Sequence, residues 1–253
     1  MPSPVKTSFD SAANSPEPPS TAAQTAAQRR DQGVLRETLL AFAVVTSVVS
    51  LLYRLRGVGF IERNLAVVAA VLFLYVPAFA LWRRGRELEQ YGLRAAPLGR
   101  GLLAAALSMV VVFPAFAGGY YLYLTRLCAR LAYALPAWHC PPVLPVALRL
   151  PPEPVMAILS QLLVVALPEE FFFRGYLQGR LREVLPLRPA LLLTAALFAL
   201  GHFLVTFDPA ALAVFVPGLA FGLLRHYTGS VLAGTLFHAA CNLFMETLRR
   251  SLG

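Results

Sequence analysis

Charge is scarce in this chain. Only 14% of its 253 residues are Asp, Glu, Lys or Arg, where a soluble domain carries about 25%. With 58% hydrophobic residues and a mean hydropathy of +0.64, that shortage points to a polytopic membrane protein rather than a water-soluble globule. Acidic residues are the rarer sign, 13 against 22 basic ones, for a net charge of +9. A basic surplus can mark a nucleic-acid binder. Here the arginines flank apolar runs, as in Tyr53-Arg54-Leu55-Arg56 and Trp82-Arg83-Arg84-Gly85-Arg86. Membrane-edge anchoring explains that placement, so no nucleic-acid partner is expected.

Cysteine is equally sparse. Cys128, Cys140 and Cys241 include no C-x-x-C or comparable metal spacing. Cys128 and Cys140 are expected as two unpaired thiols, with a disulfide the alternative if their loop faces an oxidising compartment. Cys241 reads as a small packing residue of an apolar helix. No apolar h-region follows the start, so a signal peptide is not expected. H-E-x-x-H is absent, which excludes a soluble-type zincin. G-x-S-x-G is absent too, and no serine accompanies the buried polar groups described below, which argues against a serine nucleophile.

What the chain does have is a series of apolar runs of near-bilayer length. The expected fold is all-α: a polytopic transmembrane helical bundle of about seven spans, six to eight. Residues 1–33, rich in Pro, Ser, Ala, Thr and Gln, are expected to form a disordered tail. Residues 34–153 hold three spans, Thr38 to Tyr53, Asn64 to Leu81 and Gly101 to Tyr123, then a proline-rich connection over 125–153 whose prolines exclude a continuous helix. Residues 154–253 hold four more, with starts near Pro154, Pro189, Pro209 and Val231. Gly218 and Gly222 in the sixth have the spacing that lets helices approach closely. The arginine-rich loop 83–100 favours an internal N-terminus.

Ionisable groups at bilayer depth cost roughly 2.5–3.5 kcal/mol each on insertion scales, so they are rare and usually functional. The fourth span nevertheless carries Glu169, Glu170 and Arg174 in "ALPEEFFFRGYLQG". Glu170 and Arg174 are one turn apart on one face, in the favourable order for an ion pair. Glu169 points about 100° away, so that one carboxylate can be structural and the other free for chemistry. Pro168 removes a backbone donor and is expected to bend the helix. The fifth span carries Phe198 and His202 one turn apart, the seventh His238 and Asn242. Glu246 sits near a helix end, where solvation is expected, and His139 and His226 lie in connections and read as incidental. A buried polar cluster that merely holds helices together leaves one of the two glutamates without a counter-charge. Polar groups in lipid need partners, and the available partners are one another. Convergence on one cavity supplies what hydrolysis needs: a carboxylate base, imidazoles to hold water, a metal or a leaving amine, and an amide donor for an oxyanion.

Glu169-Glu170-Phe-Phe-Phe-Arg174, Phe198-Ala-Leu-Gly-His202 and His238-Ala-Ala-Cys-Asn242 resemble, in order, the three motifs of the CPBP intramembrane proteases, the CAAX-protease and bacteriocin-processing family also called Abi. The resemblance covers about residues 150 to 248 and makes 154–253 the catalytic helical core. It implies an intramembrane endopeptidase acting near the C-terminus or membrane-proximal segment of a protein substrate. Glu169 would activate water, Glu170 would pair with Arg174, His202 would hold that water or a metal, and His238 with Asn242 would complete the pocket and its oxyanion site. The resemblance implies either histidine-held water or a divalent metal, Zn²⁺, on Glu169, His202 and His238. It also implies a protein or peptide substrate and a lipid bilayer as partners. Arginine- and alanine-rich, lysine-poor usage suggests a GC-rich bacterium and its cytoplasmic membrane. The alternative is a non-catalytic adaptor or bacteriocin-immunity protein on the same fold. A transporter would show matching broken helices in two halves, and no internal repeat is visible.

Overall fold

The computed structural model describes residues 21–94, 98–134, 140 and 148–252. Among the described residues there is no strand. Seven long helices follow one another: α1 (Thr21–Arg54), α2 (Gly59–Trp82), α3 (Gly99–Ala134), α4 (Pro154–Arg182), α5 (Leu187–Thr206), α6 (Phe215–Thr228, extended by a 3₁₀ turn Pro209–Val214) and α7 (Leu232–Leu252). Six are long and apolar enough to cross a membrane; α7 has the length, 21 residues, but is less apolar. Val44, Leu51, Val67, Val110 and Leu163 are exposed on the outer faces. So much contiguous apolar surface suits lipid rather than water.

Three expectations from the sequence need correction. First, α1 begins at Thr21, inside the segment expected as a tail, because "TAAQTAAQRRDQ" is built from good helix formers. Residues 1–20 lie outside the described residues. Second, α3 runs on to Ala134, so the proline-rich connection is shorter than 125–153. Third, Cys128 and Cys140, expected as two separate thiols, are joined as a disulfide, with their Cα atoms 5.7 Å apart. Cys241 is free.

α4 is the organising element. Pro168 has no N–H to give the carbonyl one turn earlier, and the helix is wound as a π-helix over Gln161–Ala166, just before it. A second π-helical stretch, Phe171–Leu177, follows the two glutamates. Such π segments inside helices are frequent at functional sites. Phe171, Phe172, Phe173 and Tyr176 are fully buried and pack with Phe42 of α1, Phe198 of α5, and Phe221 and Phe237 of α6 and α7. Against α6, Arg174 Nη2 donates to the Gly218 carbonyl at 3.2 Å and Gln178 Nε2 to the Gly222 carbonyl at 3.0 Å. A Cβ at Gly222 would lie 2.8 Å from Leu191 and 2.9 Å from Gln178, so the close approach expected of this glycine pair does depend on a missing side chain.

The segment joining α2 to α3 straps the N-terminal helices to this core. Its 3₁₀ turn Leu88–Tyr91 packs the Tyr91 ring where a Cβ on Gly179 would be 2.7 Å away. The Tyr91 hydroxyl donates to Glu183 at 2.6 Å, and Arg180 donates to Glu183 at 2.7 Å and to Glu37 of α1 at 3.2 Å. Burial, together with the Glu183 contact, raises the Tyr91 pKa. Burial pushes Glu183 upward, but the hydrogen bonds from Tyr91 and Arg180 outweigh it and hold the carboxyl below its usual range. Gly92, at φ 95°, turns the chain so that its carbonyl accepts from Val231 N at 3.0 Å, which ties the strap to the start of α7.

Candidate active site

Glu170 and Arg174 are both fully buried and face each other one turn apart, Arg174 Nη1 lying 3.1 Å from Glu170 Oε1. The guanidinium sits among aromatic rings, 4.1 Å from the Phe198 centroid and 4.9 Å from that of Phe221. A cation over ring faces gains electrostatic attraction in place of the water it has lost. Glu170 Oε1 also lies 3.0 Å from His238 Nδ1. A carboxylate can only accept, so Nδ1 is the donor, and in the neutral imidazole Nε2 is then the bare nitrogen. Gly234 makes room for this carboxylate, since a Cβ there would be 2.9 Å from Glu170 Oε2.

His202 is fixed in the same sense. Its Nδ1 is 2.9 Å from the Phe198 carbonyl, one turn back on α5, which again assigns the proton to Nδ1. Its ring stands edge-on to Phe198, while the His238 ring stacks on Phe221. Both bare Nε2 atoms then point at one oxygen: Glu169 Oε2 is 4.0 Å from His202 Nε2 and 3.9 Å from His238 Nε2. That oxygen is buried and has no hydrogen-bond partner within the protein. Glu169 itself is not paired with Arg174, which Glu170 occupies.

Three acceptors facing one point are satisfied by a water together with one further proton, or by a divalent cation. Two imidazoles and a carboxylate are a set that zinc uses, but its ligands in a tetrahedral site stand about 3.4 Å apart. The 3.9 and 4.0 Å separations suit a hydrogen-bonded water, and the residues would have to close by about half an ångström around a metal. Among the described residues no group of three His, Cys, Asp or Glu meets metal-binding spacing as it stands.

Two cavities meet at His202. One, about 220 Å³, lies between α1, α2, α4 and α5 and is lined by Glu169, His202, Thr46, Val49 and Phe73. The other, about 80 Å³, lies toward α3, α6 and α7 and is lined by His202, His238, Asn242, Cys241 and Phe113. The catalytic candidates therefore have room on both sides, within largely apolar walls. Asn242 Nδ2 donates to Gln161 Oε1 at 2.9 Å, which fixes the amide and leaves its second N–H free to turn toward the smaller cavity. Of the remaining polar residues, His226 is exposed and Glu246 pairs with Arg250 near the end of α7, in keeping with a solvated carboxylate. His139 lies outside the described residues.

Sequence reasoning missed Gln161, Gln178 and Gly234. Gln161 and Gln178 left a signal, since each is an amide within an apolar span. Gly234 left a fainter one, as the residue one turn before His238 on the same face. Thr46 and Phe73, which wall the larger cavity from the N-terminal helices, are ordinary span residues without any signal.

Residues 151–244 match the family model described as type II CAAX prenyl endopeptidase Rce1-like. No curated protein and no solved structure matches the chain.

Proposed function

With residues 151–244 a CAAX-protease-family region, we propose that the protein is an intramembrane endopeptidase that hydrolyses a peptide bond near the C-terminus or membrane-proximal segment of a protein substrate. The observation that carries this reading is the convergence of two histidine Nε2 atoms, at 4.0 and 3.9 Å, on one buried and unpartnered Glu169 oxygen beside two cavities. Glu169 takes a proton from the water held at that point as the water attacks the scissile carbonyl. His202 Nε2, half-open to the larger cavity, takes that proton over from Glu169 and passes it to the leaving amine, so that Glu169 ends as the carboxylate it began as. The free N–H of Asn242 donates to the developing oxyanion, and its worth grows in a site that excludes bulk water. Glu170 and Arg174 do not touch the reacting atoms; they are positioning residues that set the His238 tautomer and ring. A divalent cation held by Glu169, His202 and His238 would polarise the same water and lower its pKa.

Two adjacent glutamates with unequal partners favour this over an adaptor or immunity protein. A scaffold needs Glu170 paired, which it is, but gains nothing from a Glu169 whose Oε2 is buried without a hydrogen-bond partner. The chain is an integral membrane protein; its arginine-rich, lysine-poor usage supports the bacterial cytoplasmic membrane as its location. The test is deletion of the gene, identification of a membrane or surface protein whose C-terminal region is no longer shortened, and complementation. Wild-type protein restores the shortened form, while Glu169→Gln and His202→Ala at equal membrane abundance do not. Full complementation by both variants would hand the protein to the adaptor reading.

A further inference from the structure

Three arginines at the strap end of the bundle have acidic partners: Arg84 and Arg180 pair with Glu37, and Arg180 and Arg86 with Glu183. Arg94 and Arg225 have no carboxylate partner among the described residues. Each donates instead to a backbone carbonyl of the other's segment, Arg94 Nε to Gly229 at 2.9 Å and Arg225 Nη2 to Gln90 at 3.3 Å. The two side chains thus cross between the strap and the end of α6, close enough for the Arg94 charge to bear on Arg225. Two glycines make room for them. A Cβ at Gly92 would lie 2.6 Å from Arg225 Nε, and one at Gly229 would collide with Arg94 Nη2. Arg94 is exposed and Arg225 half-buried, so the pair can be reached from outside.

Helix capping explains only half of this arrangement. Arg94 satisfies a carbonyl just past the C-terminal end of α6, as cations there commonly do. Arg225 does not cap its own helix; it reaches into the strap and brings a second positive charge to the same place. Like charges repel, and Arg225 Nε is buried with no hydrogen-bond partner within the protein. With one N–H engaged, each guanidinium keeps most of its donors for another acceptor. An anion bridging the two supplies the missing counter-charge. The apolar stretch of α6 ends at Thr228, so both guanidiniums stand at headgroup level. Basic pockets at that depth suit lipid phosphates. A tetrahedral phosphate offers oxygens to two forks arriving from different directions, whereas a planar carboxylate matches one.

We infer that Arg94 and Arg225 bind a phosphate oxyanion, presented by an anionic phospholipid headgroup or free in solution, and that the bound anion fastens the strap to the start of α7. The site stands whether or not the protein is a protease. The fastening has a defined path. The Gly92 carbonyl accepts from Val231 N at 3.0 Å, and Ser230 Oγ donates to the Arg94 carbonyl at 2.8 Å. Ser230 and Val231 directly precede Leu232, where α7 begins. Offsetting the repulsion between the two guanidiniums therefore steadies the first turn of α7, and with it Gly234 beside Glu170.

The experiment uses the full chain purified in a neutral detergent. Native mass spectrometry with equimolar phosphatidylglycerol and phosphatidylcholine reads lipid retention. Thermal melting is followed with each lipid, and in sodium phosphate against sodium chloride of equal ionic strength. Wild-type protein should retain phosphatidylglycerol about ten-fold or more over phosphatidylcholine and melt at a higher temperature with it. Arg94→Gln and Arg225→Gln should each weaken retention about five-fold, and the double variant should lose both the preference and the melting shift. The paired Lys variants should keep part of both, since the charge remains and the fork is lost. Arg182→Gln, exposed at the same end and bonded to the Leu185 carbonyl, should behave as wild type. A melting rise in sodium phosphate without one in phosphatidylglycerol assigns the site to free phosphate, and the reverse assigns it to the lipid. No preference and no response to phosphate in wild-type protein overturn the site. So does a preference that survives in the double Gln variant, or one lost equally in Arg182→Gln, which would mark diffuse surface charge. If the double variant does not fold, the single variants carry the test, and unchanged retention in both overturns the site. Selective retention without a rise in melting temperature keeps the site and overturns the fastening.

Discussion

Replacing Glu170 by Gln should unfold the protein more readily than replacing Glu169. Both members of the Glu170–Arg174 pair are fully buried and 3.1 Å apart. Gln keeps the side-chain volume and an oxygen that can still accept from His238 Nδ1, so the change removes charge and little else. What remains is a guanidinium enclosed by Phe198 and Phe221 without the carboxylate it contacts. Breaking a buried pair in this way costs roughly 3–5 kcal/mol, or a fall of about 6–20 °C in Tm for a chain of this size. Glu169 has no such partner, so Glu169→Gln strands no opposite charge and should melt within about 2 °C of wild type, a change of about 0.5 kcal/mol or less. Removing the stranded charge as well, in Glu170→Gln with Arg174→Met, should recover part of the loss, since buried pairs are often replaced by apolar groups without net cost. The assay is thermal melting of the purified variants in one detergent. Equal destabilisation by the two single glutamine variants would refute the division of labour between the carboxylates.

Other outcomes follow from single contacts. Gly234→Ala places a Cβ 2.9 Å from Glu170 Oε2; overpacking of this kind costs about 1–3 kcal/mol, and the same variant should lower kcat by displacing the carboxylate that holds His238. Gln161→Leu should lower kcat about five- to ten-fold with little change in KM, the loss of about one hydrogen bond, while Gln161→Glu, which can still accept from Asn242, should retain most activity. At the strap, the Glu183 carboxyl is held below its usual range by Tyr91 and Arg180. A carboxyl with a depressed folded pKa contributes stability above its unfolded value near 4.5 and loses it as pH falls through the folded one. Melting temperature should therefore drop more steeply below about pH 4.5 for wild type than for Glu183→Gln.

The catalytic candidates were legible because charge is so rare in this chain that each buried ionisable group stands out, and because one-turn spacing decides which of them share a face. That is why the sequence alone pairs Glu170 with Arg174 and separates Glu169 from it. Helix ends were less legible. The start of α1 was hidden because a run of Ala, Gln and Arg has helical propensity without the apolar periodicity that marks a span. The π-helical windings of α4 had only Pro168 as a trace. The Cys128–Cys140 pairing depends on the two thiols being brought together in space, and spacing does not encode that. Tyr91 of the strap and the N-terminal walls of the larger cavity depend on which helices pack on α4, a property of the assembled bundle that no local pattern carries.

The central claim is that Glu169 acts on a water rather than filling space. Its most direct measure is single-turnover cleavage of a pool of labelled apolar decapeptides by wild-type and Glu169→Gln protein, at equal folded amounts, with peptide retention recorded in parallel. General-base contributions are typically 10²–10⁴-fold, so the variant should cleave at least about a hundred-fold more slowly while it retains peptide within a few-fold of wild type. A variant that cleaves within about five-fold of wild type, the effect of one altered hydrogen bond of about 1 kcal/mol, would contradict the account.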